Sequence, residues 1–553
     1  MKNKKFYKNP YFIISGVYLL THVFSLILSG CWWDDWTFMS HNLNYVNAVA
    51  SQSGRPEWNI LIPFCWSLTN NGRILIFFLY YLDSVLLYDS LKRSGLFKQK
   101  DSLLITLLFI LIPVNEARIL ISNFAYTVGL FFFFLAFNFF IRFNKERKWI
   151  YRIVVLLLFF ISFILNSLLA YYYVLFIYLF ILDFKDKKLT INNIFESVRN
   201  VIIRNIDFFV LPFIYLLINK TFFPTYGDSF GDYNSFNIKS IIKACIYLPL
   251  SVVTSLFDIV MNWLSSINIV SGIVLLICLY LLYRYGKTKD EEIDVKKNLI
   301  TIFYSICILF LAMVAYVLIR EETLSINGVQ GRDAILIPFG MALLIYSLLN
   351  LLRSRLRNII YVIIIVLGIS CFNLLYIEWQ KDYYYQLSME NLLVDEIIKD
   401  NDTFFLIDLN ESDVKGQRFY SLNANAYHVY NDETRLFIPK VSNLYLLEDE
   451  NALRHTIEAL DYANMMKDYN PEDYYFDAII VYENNLSDLE TLKLKYAELT
   501  DYSRFIEQIR SKGTLKVYLV DDDFTELLIK EYKNKKITDD EGVLKLLEEY
   551  RNK

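Results

Sequence analysis

The sequence predicts an α-helical polytopic membrane protein with about eleven transmembrane helices, N-terminus inside and C-terminus outside, followed by a soluble extracytoplasmic α/β domain. Three observations predict this. Hydrophobic residues fill 55% of the 553 positions and aromatic residues 17%, and the mean hydropathy is +0.33, outside the range of a soluble globular enzyme. Apolar runs of about 20 residues, enough to cross the hydrocarbon core of a bilayer, recur along residues 1–376. The net charge of −4 also divides unevenly: residues 377–553 hold 37 acidic and 21 basic side chains, residues 1–376 hold 22 and 34. A basic membrane domain, 1–376, thus precedes an acidic domain, 377–553, in a different environment, and that acidity argues against nucleic acid as a partner.

Taken in order, the apolar runs fall near 11–30, 73–91, 102–120, 123–141, 267–284, 299–318, 334–352 and 358–376. Residues 153–183 are too long for one crossing and short for two, yet basic clusters flank both ends: Arg147, Lys148 and Arg152, then Lys185, Lys187 and Lys188. Both ends are therefore expected in the cytoplasm, with a short helical hairpin turning near Asn166 and Ser167. Residues 207–220 give one more outward crossing, and 241–265, marked by Pro249 and Asp258, are expected to lie along the outer surface or to re-enter the membrane.

The charge rule tests this topology. Of the 34 Lys and Arg residues before Ile377, 26 fall on segments read as cytoplasmic, including Lys2, Lys4, Lys5, Arg142, Lys296 and Arg353. The eight on the outer side are Arg55, Arg73, Arg118, Lys220, Lys239, Lys243, Arg320 and Arg332, and that bias supports the arrangement. The N-terminal run reads as a first span, because CWWDDW after it is no small-residue cleavage site. The six cysteines show no metal spacing and read as small buried hydrophobes, with a Cys31–Cys65 bridge open because both fall on the outer face.

In the tail, short β-rich runs (TFFLID at 403–408, FDAIIVY at 476–482, LKVYLVDD at 515–522) alternate with helical patterns such as LSDLETLKLKYAELTDYSRFIEQIRS, which reads as α/β. It has no Gly-rich phosphate loop, zinc ligand set or nucleophile elbow, so no chemistry is expected there.

The stretch CWWDDWTFMS, 31–40, sets Asp34 and Asp35 among Trp32, Trp33 and Trp36 where the first span leaves the lipid. The tryptophans read as an interfacial belt, and the acids could simply mark the helix end in headgroup water. The functional reading draws on the adjoining segment: Trp36, Met39, Leu43, Val46 and Val49 recur at helical spacing, as in a helix lying in the interface, and GRPEW at 54–58 returns Arg55 to the same surface. Acids and cations at the outer membrane plane suit transfer from a lipid-linked sugar phosphate to a hydroxyl. A carboxylate accepts the hydroxyl proton as the oxygen attacks the anomeric carbon, and an Arg holds the departing phosphate bidentately.

DDW at 34–36, GRP at 54–56, some eleven spans and a soluble tail resemble the polytopic C-type glycosyltransferases, particularly the prophage O-antigen glucosyltransferases and their Gram-positive relatives. The likeness covers roughly residues 1–376. It implies a bacterial plasma-membrane hexosyltransferase that uses a polyprenyl-phosphate sugar donor on the outer face and a cell-surface polysaccharide as acceptor. It also implies an inverting single displacement with a first-loop Asp as base, Asp34 or Asp35, with Asp34 favoured because related enzymes often follow the base with a second acid.

Other outer-face candidates come from the same topology. NEAR at 115–118 brings Glu116, as a second acid that orients the acceptor, and Arg118, as a phosphate ligand; a helix-end salt bridge is the structural alternative. GRD at 331–333 brings Arg332, the favoured phosphate ligand, with Arg55 and Arg73 as rivals and loop charge as the bland reading. Trp36 is placed with the substrate-binding group. Glu321 and Glu322 read as solvated loop charge beside Arg320, and Asp83, mid-span in YYLDS, is either functional or paired to another helix. No cofactor is expected; one or two outer carboxylates could hold a divalent ion, but no ligand cluster has the spacing for it. The expected partners are the donor, the acceptor polysaccharide, the lipid bilayer and the enzyme that makes the lipid-linked donor.

Two other activities compete. An outer-face polysaccharide polymerase or ligase typically places arginines in a large middle loop, whereas residues 221–240 contain only Lys239. A lipid-linked sugar transporter or flippase needs broken helices in corresponding halves and midplane charges, for which only Asp83 qualifies.

Overall fold

The computed structural model describes residues 9–33, 35, 50–67, 71–184, 187–188, 190–226, 238–285, 295–320, 322–394, 396–409, 423, 426, 429–430, 435–447, 475–484 and 486–552. Contacts divide the chain into two units: Met1–Ile27 with Asn47–Leu375, and Leu28–Val46 with Tyr376–Lys553. The first loop, 28–46, goes with the tail and not with the helices that flank it in sequence.

The first unit is helical, and this is a membrane protein by its apolar helices. Gly72–Ser94, Ile121–Glu146, Lys239–Ser265, Asn298–Arg320 and Ser354–Leu392 are each long and apolar enough to cross a membrane. Ile191–Arg204 and Ile206–Phe222 pass that test as a pair bent by 66°, at Asn205, whose backbone leaves the helical region. Every run read as a span falls on a helix, but several of these helices are short. Pro10–Leu26, Trp149–Ser162, Leu168–Phe184, Ile269–Arg284 and Ile337–Leu349 have 10–17 residues, less than a single perpendicular crossing needs.

Local chemistry explains the breaks. At the N-terminus, Asn9 accepts from the Tyr11 amide at 3.1 Å, ahead of Pro10 in the first helical turn, a pairing that suits a helix start. The run 102–120 does not stay helical: the Gln99–Leu111 helix stops because Pro113 has no amide hydrogen and disfavours helical geometry in the residue before it. Residues 153–183 break where the hairpin turn is expected, with turns over 163–167 between Trp149–Ser162 and Leu168–Tyr171, and Trp149–Ser162 packs against Phe124–Glu146. The expectation that 241–265 lies along the surface meets a helix, Ile238–Ser265, long enough to cross. Within the unit, Ser251 Oγ accepts from the Leu324 amide at 3.1 Å and Asn262 donates to Asn327 at 2.7 Å, so its second half runs beside residues 324–327.

An aromatic-rich core holds the bundle. Phe133 packs against Phe159 and Tyr171, and Phe140 and Phe143 pack against Phe208, all at 5.2–6.0 Å between ring centroids, the separation that offset and edge-to-face pairs favour.

Among the described residues of the second unit, four strands form one mixed sheet in the order β2-β1-β3-β4: β1 Thr403–Asp408, β2 Leu436–Pro439, β3 Ala478–Asn484 and β4 Gly513–Leu519. β1 runs parallel to both β2 and β3, with Thr403 opposite Leu436 and Phe405 opposite Ile479, whereas β4 is antiparallel to β3. β1 is buried along its whole length, as a central parallel strand should be. The three β-rich runs read from sequence are strands β1, β3 and β4, and the helical pattern at 486–511 divides at Asp501 into Asp488–Thr500 and Tyr502–Arg510. The α/β reading of the tail therefore holds. The Ser354–Leu392 helix passes from the first unit into the second.

Candidate functional site

The site is built from two turns of the first unit that lie more than 200 residues apart in sequence. After Pro113, Asn115 adopts a left-handed conformation at φ 60°, which Asn tolerates better than most residues, and Glu116–Ile119 follows as a 3₁₀ turn. The partner is the 3₁₀ turn Val329–Ala334, entered through Gly328 at φ 60°. Gly331 lets its own loop close: a Cβ there would lie 2.5 Å from the Ile326 carbonyl oxygen, while the Asn115 Cα, at 3.8 Å, is at ordinary contact distance. The Gly328 amide donates to Glu116 Oε1, closing the junction. NEAR and GRD, separate candidates in the sequence, are thus one structural feature.

Around it Arg73 and Arg118 are buried, and Arg320 and Arg332 half-buried. Arg118 Nη2 donates to His22 Nδ1 at 2.7 Å. Because a guanidinium can only donate, Nδ1 accepts and Nε2 carries the proton, which it gives to the Ile110 carbonyl at 3.3 Å. The Arg118 guanidinium lies 4.1 Å from the Tyr80 ring centroid and 5.1 Å from that of Phe372, within cation–π range. Arg73, also buried, donates from Nε to the Ile119 carbonyl at 3.3 Å. Asp333 sits between Arg320, with which it forms an ion pair, and Arg332, whose Nε is 3.7 Å away. Arg320 also donates to Gln330 at 2.6 Å. Burial pushes the Asp333 carboxyl above its usual range, opposed by Arg332 and Arg320.

Arg73, Glu116, Arg118 and Arg332 therefore gather around one turn. Arg55 stands on its own: Nη1 donates to the Ile164 carbonyl at 2.5 Å and lies 3.7 Å from Glu57, whose carboxyl burial pushes up against the pull of Arg55. Gly54, at φ +66°, makes that turn possible, since a Cβ would lie 2.5 Å from the Phe223 carbonyl oxygen. Arg320, read as loop charge, belongs to the cluster, whereas Glu322 is exposed and Glu321 lies outside the described residues. Asp83 is fully buried, with no hydrogen-bond partner among the described residues.

The first-loop candidates belong to the second unit. Asp35 is fully buried and its amide donates to the Trp32 carbonyl at 3.0 Å. Trp32 and Trp33 are buried as well, which corrects the expectation of an interfacial belt: the Trp32 ring lies 5.5 Å from Trp379, and its Nε1 donates to the Trp379 carbonyl. Asp34, Trp36 and the Cys65 side chain lie outside the described residues, so the Cys31–Cys65 bridge does too. Among the described residues no group of three or more His, Cys, Asp or Glu could hold a metal ion.

Sequence reasoning missed His22, Tyr80 and Asp333. Of these only Asp333 left a signal, within GRD; a histidine in an apolar span and a tyrosine among many gave none. The assembly defines a class, a helical membrane protein with a buried, arginine-rich polar cluster at one end of an apolar bundle. Comparison with known proteins goes no further: no family model matches the chain, and no curated protein matches it.

Proposed function

We propose that this protein is a membrane glycosyltransferase that moves a hexose from a polyprenyl-phosphate donor to a hydroxyl of a cell-surface polysaccharide, on the outer face of a bacterial plasma membrane. The observation that carries the reading is the junction of NEAR and GRD, which gathers Arg73, Arg118, Arg332, Glu116 and Asp333 at one end of an apolar bundle. A prenyl phosphate has the matching form, an apolar tail in lipid and an anion at its edge. Guanidiniums bind phosphate bidentately, and they act most strongly where water is excluded. The eleven-span topology with the tail outside is part of the proposal, supported by the charge bias.

In the reaction the acceptor oxygen attacks the anomeric carbon while the bond from that carbon to the phosphate oxygen breaks, inverting the centre. The hydroxyl proton passes to a carboxylate, for which the family resemblance implies Asp34 or Asp35, and the electron pair leaves on the phosphate, a charge that guanidiniums stabilise. Glu116 orients the acceptor. The test is sugar transfer from a panel of polyprenyl-phosphate hexoses in membranes carrying wild type, Asp34→Asn or Asp35→Asn at matched protein levels. Loss in one variant identifies the base; full activity in both removes the first-loop acids from the mechanism.

A further inference from the structure

The second unit holds the first loop in an unusually explicit way. Ser29 has one hydroxyl proton and two lone pairs, and all three are used: Oγ donates to Glu498 Oε2 at 3.1 Å and accepts from Gln380 Nε2 and Lys495 Nζ, each at 3.0 Å. Its amide donates to Gln380 Oε1 at 3.1 Å. Lys495, itself buried, also bonds Glu498 at 2.8 Å, and Tyr384 donates to the same carboxylate. One residue on, Gly30 has φ +105° and lies so close to Tyr383 that a Cβ would overlap the ring. Two residues further, Trp32 is bonded to the Trp379 carbonyl.

Within four residues the loop is therefore stitched to positions 379, 380, 383 and 384, which share one face of the Ser354–Leu392 helix, and to 495 and 498 on the Asp488–Thr500 helix. Asp35 lies three residues later, buried, with its amide on Trp32. A domain that merely covered the site or bound polymer would have no need to saturate a serine in the first loop.

We infer that the C-terminal domain is the scaffold of the acidic first loop, and that Ser29, Lys495 and Glu498 are positioning residues that fix the stretch carrying Asp35. The inference rests on the proposed glycosyltransferase reading for its kinetic consequence but not for its structural one. The experiment therefore has two arms on the full-length protein in lipid nanodiscs. In the first, hydrogen exchange of the Ser29 and Asp35 amides is compared among wild type, Ser29→Ala, Lys495→Met and Ser29→Thr. Exchange is expected to be about tenfold faster in the first two variants and unchanged in β1, with wild-type protection in Ser29→Thr, which keeps the hydroxyl.

In the second arm, kcat for transfer from the polyprenyl-phosphate hexose panel falls about tenfold in Ser29→Ala and Lys495→Met with donor KM unchanged, and Ser29→Thr restores it. Unaltered exchange at residues 28–35 in both disruptive variants overturns the scaffold. Faster exchange with unaltered kcat overturns the positioning role. If wild type transfers no sugar, the proposed function has failed, and the exchange arm still decides whether the domain holds the loop.

Discussion

The Asn71–Ser94 helix carries Arg73 near one end and Arg93 near the other, about 30 Å apart at about 1.5 Å per residue, and the bundle handles charge differently at those two ends. At the Arg93 end the pairs are simple and partly exposed: Arg93 and Arg142 on Asp89, Lys187 on Asp183, and Arg152 forked onto Asp207 with both contacts at 2.6 Å. At the Arg73 end Arg73, Glu116, Arg118 and Asp333 are buried and Arg320 and Arg332 half-buried, around 3₁₀ turns that need a left-handed Asn115 and a Gly331 and are joined across 212 residues. Marking a membrane boundary requires only the first kind. The second carries desolvation and backbone strain, which a fold retains where the arrangement is used.

The largest break in this contrast should come from Arg118. Arg118→Ala removes the guanidinium between His22 and the Tyr80 ring, and sugar transfer should fall by ~100-fold or more, the scale of losing one preorganised charge contact. Arg118→Lys should not restore it, since an ammonium cannot fork or stack in the same way; transfer assays at matched expression decide both.

Next comes Gly331→Ala. Its new methyl meets the Ile326 carbonyl, so thermal unfolding in nanodiscs should show a loss of about 1–3 kcal/mol, with a parallel drop in transfer as the loop that carries Gly328 and Arg332 distorts. At the opposite end, Arg152→Gln should cost no more than ~1 kcal/mol, as partly exposed pairs do, and leave transfer at the wild-type level.

The smallest effect is expected at a surface pair of the second unit. Hydrogen bonds from Lys512 and then from Ser487 hold the Glu490 carboxyl at about 2, against an ordinary value of 4.5. A carboxyl depressed in the folded state stabilises fully above its unfolded value, and that stability is lost as pH falls from about 4.5 toward about 2. The melting temperature of Glu490→Gln should therefore decline less over that acid window than that of wild type.

The same contrast explains what could be read from the sequence. The helices, the break within 153–183 and the three strands announced themselves through hydrophobic period and length, which are local properties. The gathering of charge at two separate places is also partly legible, because the positive-inside pattern puts Arg73, Arg118 and Arg332 on one side and Arg142 on the other. The meeting of NEAR with GRD was not, since it rests on one hydrogen bond, from the Gly328 amide to Glu116, between turns 212 residues apart. Nor was the burial of Trp32 and Asp35: a tryptophan in a domain core and one in a headgroup layer look alike in a sequence, and only the pairing with Trp379, 347 positions away, tells them apart.

The most direct test of the buried cluster as a phosphate site is binding of polyprenyl phosphate to the purified protein in nanodiscs, read by native mass spectrometry for wild type, Arg118→Ala and Arg152→Gln. One bound lipid phosphate is predicted on wild type and Arg152→Gln, with its loss from Arg118→Ala; equal retention by all three would contradict the assignment.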